Sequence, residues 1–157
     1  MRIFLNSNVL IDYWFKRKDS KTGESFHLYI EEILNKAQKQ DFELFTSSFS
    51  ISHARQEAVK NGLPVENFEL MKDITLGLYS LKVVPVSAIH KKSANELMKK
   101  FKIIETSYFE DFVNIAVSLD TKSDVFLSRD KELKNIARNI IEVLSPKEFI
   151  QNYLSPQ

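Results

Sequence analysis

Residues 2–12 read Arg2-Ile3-Phe4-Leu5-Asn6-Ser7-Asn8-Val9-Leu10-Ile11-Asp12, and their order decides the fold. Arg2–Leu5 is an almost continuous apolar run, the pattern of a strand covered on both faces. A polar triplet follows with no spacer, and a helical apolar pattern begins inside it, so Asn8–Lys16 is expected to be a short helix. A strand that turns straight into a helix is the first half of a unit whose strands lie parallel. The turn also leaves Asn6, Ser7 and Asn8 beyond a strand's carboxyl end, where open parallel sheets hold their ligands. A metal site at that place needs negative charge, and Asn6 carries none.

The same alternation continues outward from this stretch. Phe42–Ser47, Lys82–Val86, Asp124–Ser128 and Ile140–Leu144 read as further strands, rich in Val, Ile, Phe and Leu. Phe26, Tyr29, Ile30, Ile33, Leu34 and Ala37 recur at three and four, which predicts a helix over Ser25–Lys39. Further helices are expected over Ile51–Lys60, Val65–Leu81, Ala88–Phe101, Phe109–Leu119, Asp130–Arg138 and Pro146–Tyr153. Asn61-Gly62 is a stop signal for the first of these, and Ser145 with Pro146 is a start signal for the last. The expected architecture is a single-domain, three-layer α/β/α sandwich over residues 1–157, with a central, mostly parallel five-stranded sheet.

Composition removes several functions. The three glycines supply no Gly-rich phosphate cradle of either nucleotide-binding type. With no cysteine there is no disulfide and no thiolate zinc site, and the three histidines, His27, His53 and His90, are scattered. The opening residues are not a secretory signal and no apolar run reaches a membrane span, so a cytoplasmic protein with no membrane partner is expected. A net charge of +1 gives no global field for a polyanion, so nucleic acid would have to meet a local patch.

Polar groups follow three of the strands: Asn6-Ser7-Asn8, then Ser47, Ser48 and Ser50, then Ser128-Arg129-Asp130. Glu110 and Asp111 stand in the first turn of an otherwise apolar helix. Taken singly, each acid has a bland explanation. Carboxylates in a first turn favour the helix dipole, and Asp130 can cap its own helix. Taken together, Asp111, Asp130 and the end of the first strand would share one edge of one sheet. Two or three oxygen ligands in a cleft suit Mg²⁺ or Mn²⁺, which polarises a phosphodiester and activates water.

The segments that carry these residues resemble the PIN-domain family, many of whose members are metal-dependent ribonucleases. IFLNSNVLIDY resembles the family's opening strand and helix, normally written with Asp, Thr and Asn where this chain has Asn6, Ser7 and Asn8. FTSSFSISHA resembles the second strand and its turn, YFEDFVNIAVSL the helix whose acid falls on Asp111, and DVFLSRDKEL the fourth strand, with Ser128 at a usual Thr and Asp130 at the last acid. EVLSPKEFI resembles a closing segment of bacterial toxin-like members.

The resemblance implies a ribonuclease toxin of a toxin–antitoxin pair. It implies an RNA substrate, Mg²⁺ or Mn²⁺ as cofactor, an antitoxin protein partner and a homodimer. It also implies that two acidic positions lack a carboxylate, since the first falls on Asn6 and the second on His53. Asp111 and Asp130, with help from Asn6, would hold the metal; Glu110 could supply part of the missing charge; Asn8, Ser128, Arg129 and His53 would surround them.

Three readings of Asn6 stand: a natural change in a weak nuclease or a pure binder, an introduced change that disarms a toxic protein, or a loss offset by Glu110. The chief alternative function is an inactive PIN-like module that binds RNA or protein. A flavodoxin-like or receiver domain is disfavoured, because no acidic pair follows the first strand.

Other residues have weaker claims. Arg129 is the basic residue best placed for a phosphate, and Lys16, Arg17 and Lys18 either cap the first helix or touch RNA. His53 and Glu57, four apart, read as a solvated helix face, as do Lys91, Lys92, Lys99, Lys100 and Lys102. Asp12 is expected to be structural, and Tyr13 and Trp14 to pack on a second subunit.

Overall fold

The computed structural model describes residues 1–40 and 42–154. Its strands are β1 (Arg2–Leu5), β2 (Glu43–Ser47), β3 (Lys82–Val84), β4 (Val125–Leu127) and β5 (Glu142–Leu144). They form one sheet in the order β3-β2-β1-β4-β5, and every pair is parallel. Between them run α1 (Ser7–Trp14), α2 (Phe26–Gln40), α3 (Ser48–Lys60), α4 (Val65–Tyr79), α5 (Ala88–Lys100), α6 (Phe109–Asp120), α7 (Lys131–Ile136) and α8 (Pro146–Phe149). A 3₁₀ turn at Thr106–Tyr108 leads into α6, and a π-helical turn at Ile150–Leu154 follows α8.

Side chains on a strand alternate between faces, so a strand with helices on both sides must be apolar throughout. Ile3, Leu5, Leu44, Val125, Leu127 and Leu144 join one core, with Trp14, Ile33 and Phe68 of the helices there. Phe4, Phe45, Phe126 and Val143 join the opposite core, with Phe112, Ile115 and Leu133. Phe4 and Phe126 lie on adjacent strands in register, and their rings stack at 5.1 Å. These cores make a three-layer sandwich, as the apolar runs predict.

The differences lie at the element ends. The helix after β2 starts at Ser48 and not at Ile51, because Ser47 caps it by accepting the Ser50 N–H at 3.1 Å. The strand expected to reach Val86 stops at Val84. Trp14 does not face a second subunit: it is buried edge-on against Phe68, and its indole N–H donates to Thr75 Oγ1 at 2.9 Å. Among the described residues, no helix is long and apolar enough to cross a membrane.

Candidate active site

β1 and β4 are central neighbours, and both end at the same edge of the sheet. The chain leaves β1 at Asn6, whose backbone N–H still donates to Leu127 O at 3.1 Å. Asn6 is the N-cap residue of α1, yet its side chain makes no capping bond. An Asn at an N-cap ordinarily accepts from the first turn. Here the carboxamide, 1% exposed, is turned to the carboxyl edge. Its Nδ2 donates to Asp111 Oδ1 at 3.2 Å, and its Oδ1 accepts from Asn114 Nδ2 at 2.8 Å.

Asp111 stands in the first turn of α6. Burial pushes its carboxyl group above the usual carboxylate range. The Asn6 N–H opposes that rise, the nearby charges of Asp130 and Glu110 add to it, and His53 opposes it. Three of the residues named as catalytic candidates, Asn6, Asp130 and Glu110, therefore act on the carboxyl group of the fourth, Asp111.

Asp130 also performs the bland task, capping α7 by accepting the Glu132 and Leu133 N–H groups at 3.0 and 3.1 Å. Among the described residues, no three His, Cys, Asp or Glu side chains gather tightly enough to hold a metal ion by themselves.

The surrounding candidates divide. Asn8 ties β1's end to β4's: its Nδ2 donates to Ser128 Oγ at 2.9 Å, and its Oδ1 accepts the Arg129 N–H at 3.2 Å. Ser128 in turn accepts the Asp130 N–H at 3.1 Å, which fixes the loop carrying that acid. His53 and Glu57 are not a solvated face. Both are half-buried, with His53 Nδ1 3.1 Å from Ser7 Oγ and Glu57 paired with Arg17 at 3.0 Å.

Arg129 is not a free phosphate ligand. It grips the wholly buried Asp12 with two hydrogen bonds, through Nε and through Nη2 at 2.9 Å, and its guanidinium lies 4.0 Å over the Phe26 ring. The lysines of α5 and Lys102 are exposed, as expected.

Sequence reasoning missed Asn114, which is 3% exposed and links Asn6 to Ser47 and Ser50. The signal was available: one amide in the apolar run FVNIAVSL, one turn beyond Asp111.

A model of the PIN domain matches residues 3–139. No curated protein sequence matches the chain. Among solved structures, the chain is similar to VapBC2 from Rickettsia felis bound to a DNA fragment from its promoter. The TM-score is 0.67 at 18% identity, over 92% of this chain and 98% of that one. It is also similar to VapBC-1 from nontypeable Haemophilus influenzae, with a TM-score of 0.62 at 14% identity over 94% and 99%. A third similar structure is VapC20 of Mycobacterium tuberculosis, a sarcin-ricin loop cleaving toxin, with a TM-score of 0.60 at 13% identity over 88% and 95%.

Proposed function

The chain belongs to the PIN-domain family, and from that premise we propose that it is a divalent-metal-dependent endoribonuclease, the toxin of a toxin–antitoxin pair, with activity reduced by Asn6 and His53. The observation that carries this reading is Asp111, a half-buried carboxylate bonded to Asn6 at the carboxyl edge of a parallel sheet, its pKa raised by burial and further by the like charges of Asp130 and Glu110. Crowding of like charges raises the free energy of the ionised site, and a cation relieves it.

The donor set suits Mg²⁺ or Mn²⁺, which are held by one or two carboxylates and keep several waters. Asn6 Nδ2 and Asp111 Oδ1 are 3.2 Å apart. An oxygen in place of that nitrogen would lie beside the Asp111 carboxylate, where the two could share a hard cation. Asp111, Asp130 and an oxygen of residue 6 would hold it. When bound, the ion would activate water and polarise the scissile phosphodiester. Asn8 and Ser128 hold the Asp130 loop against the end of β1. Asp12 holds Arg129, the residue between Ser128 and Asp130, in place.

The toxin–antitoxin neighbours support an antitoxin partner, and the sarcin-ricin loop cleaving toxin supports an RNA substrate; a homodimer is part of the same proposal. The second reading, a module that binds without cutting, is favoured by one observation: Asn6 presents an N–H, not an oxygen, to Asp111.

Restoring the charge separates the two. Asn6→Asp should raise Mn²⁺-dependent RNA cleavage on the order of 10²-fold, the scale of one preorganised electrostatic group, and should lower colony survival on expression. Unchanged cleavage and survival would leave the binding module as the better reading.

A further inference from the structure

Asn6 and Asn114 share a buried network that can exist in two forms, the second completed only by a cation beside Asp111. In the form described above, Asn114 Nδ2 donates to Asn6 Oδ1 at 2.8 Å and to Ser50 Oγ at 3.2 Å, and the Ser47 hydroxyl donates to Asn114 Oδ1 at 2.5 Å. A side-chain amide keeps its shape when its nitrogen and oxygen change places. If both amides turn, Asn6 Nδ2 donates to Asn114 Oδ1, and Asn6 Oδ1 faces Asp111.

The rest of the network can follow. Asn114 Nδ2 then donates to Ser47 Oγ, the Ser47 hydroxyl to Ser50 Oγ at the existing 3.3 Å, and the Ser50 hydroxyl to Asn114 Oδ1. Within the Asn114, Ser47 and Ser50 network every group keeps a partner, and Asn6 Oδ1 alone is left facing Asp111 without a donor. That matters here, because Asn6, Asn114, Ser47 and Ser50 are 1%, 3%, 0% and 0% exposed, and an unmatched buried donor is costly.

We infer that Asn114 is a positioning residue that sets the orientation of the Asn6 carboxamide: Asn6 is a donor to Asp111 when no cation is present, and an oxygen ligand beside Asp111 when a divalent cation is bound. The inference rests on the cation site of the proposed function and adds how a neutral residue can serve it. Turned alone, Asn6 would set its Nδ2 against Asn114 Nδ2, so the two amides must turn together. Without a cation, two oxygens 3.2 Å apart repel, which favours the donor form. With one between them, the oxygen form is favoured.

The probe is Mg²⁺ alone, added to the ¹⁵N-labelled full chain. Side-chain amide NMR should show the Asn6 and Asn114 Nδ2 signals moving on one saturable curve. NOEs from the Asn6 amide protons should shift from Asp111 to Asn114, and those of Asn114 should move onto Ser47. Asn114→Ala should weaken Mg²⁺ binding on the order of tenfold, since the turned Asn6 N–H loses its acceptor. Asn114→Asp, which can still accept that N–H, should restore it.

Mg²⁺ binding with unchanged NOEs, or equal loss in both Asn114 variants, overturns the relay and leaves the nuclease reading intact. Binding by Asn6→Asp but not by the native chain does the same. No Mg²⁺ binding by either chain overturns both.

Discussion

Asp111 and Asp12 are both acids withdrawn from water, and their neighbours give them opposite consequences. Burial raises the folded-state pKa of Asp111 above the ordinary value of 3.8, the Asn6 amide only partly opposes it, and the like charges of Asp130 and Glu110 add to the rise. Folding then takes up protons in the window between the two values. This contribution to stability is full below the ordinary value and is lost as pH rises through the raised one. Asp111→Asn should therefore raise the neutral-pH Tm. It should leave the Tm at low pH nearly unchanged. Melting curves across pH 3–8 check this, and an equal shift at every pH would show that the gain does not come from the carboxyl charge.

Asp12 instead has a full guanidinium on both oxygens. Removing Arg129 strands that buried charge, so Arg129→Met should cost about 3 kcal/mol or more in urea unfolding. Adding Asp12→Asn should recover much of the loss. If Arg129→Met is as stable as the native chain and loses only RNA affinity, the residue serves the phosphate after all. This division was only half legible in the sequence. Residue types and order give the carboxyl edge and its acids. Which cation is already engaged depends on a contact between residues 117 positions apart, and no local pattern encodes that.

Helix and strand identities follow from short-range pattern, and their ends from single side chains. The period-three-and-four run in α2 and the apolar runs of β1 and β4 leave little choice. The sequence pattern places the start of α3 three residues late, because Ser47 reads equally well as strand end or cap, and only its bond to the Ser50 N–H decides. At α8 the signals agree. Ser145 accepts the Glu148 N–H at 3.1 Å, Glu148 returns the bond to the Ser145 N–H at 3.0 Å, and Pro146 opens the helix. α8 follows β5, the edge strand beside β4, and packs Phe149 against Phe42 from the lead-in to β2. Ser145→Ala should therefore cost about 1 kcal/mol of global stability. Urea unfolding measures it; no loss would mean that Phe149 alone anchors the segment.

Across the whole molecule, charge limits how RNA could be met. The net charge is +1, so long-range steering is weak. Near the cleft, Arg17 is paired with Glu57 and Arg129 with Asp12, while Lys131, next to Asp130, is exposed. The lysines of α5 sit on a helix that packs chiefly on α6 and follows β3, an edge strand two positions from β1. Few phosphates can be neutralised at once. Each contact to single-stranded RNA contributes about 0.7 to the slope of log K against log salt, so a slope of roughly −2 or shallower is expected between 50 and 200 mM. Fluorescence anisotropy with a short RNA reads that slope directly. A slope of about −5 would mean that many more phosphates are contacted, and would overturn this expectation.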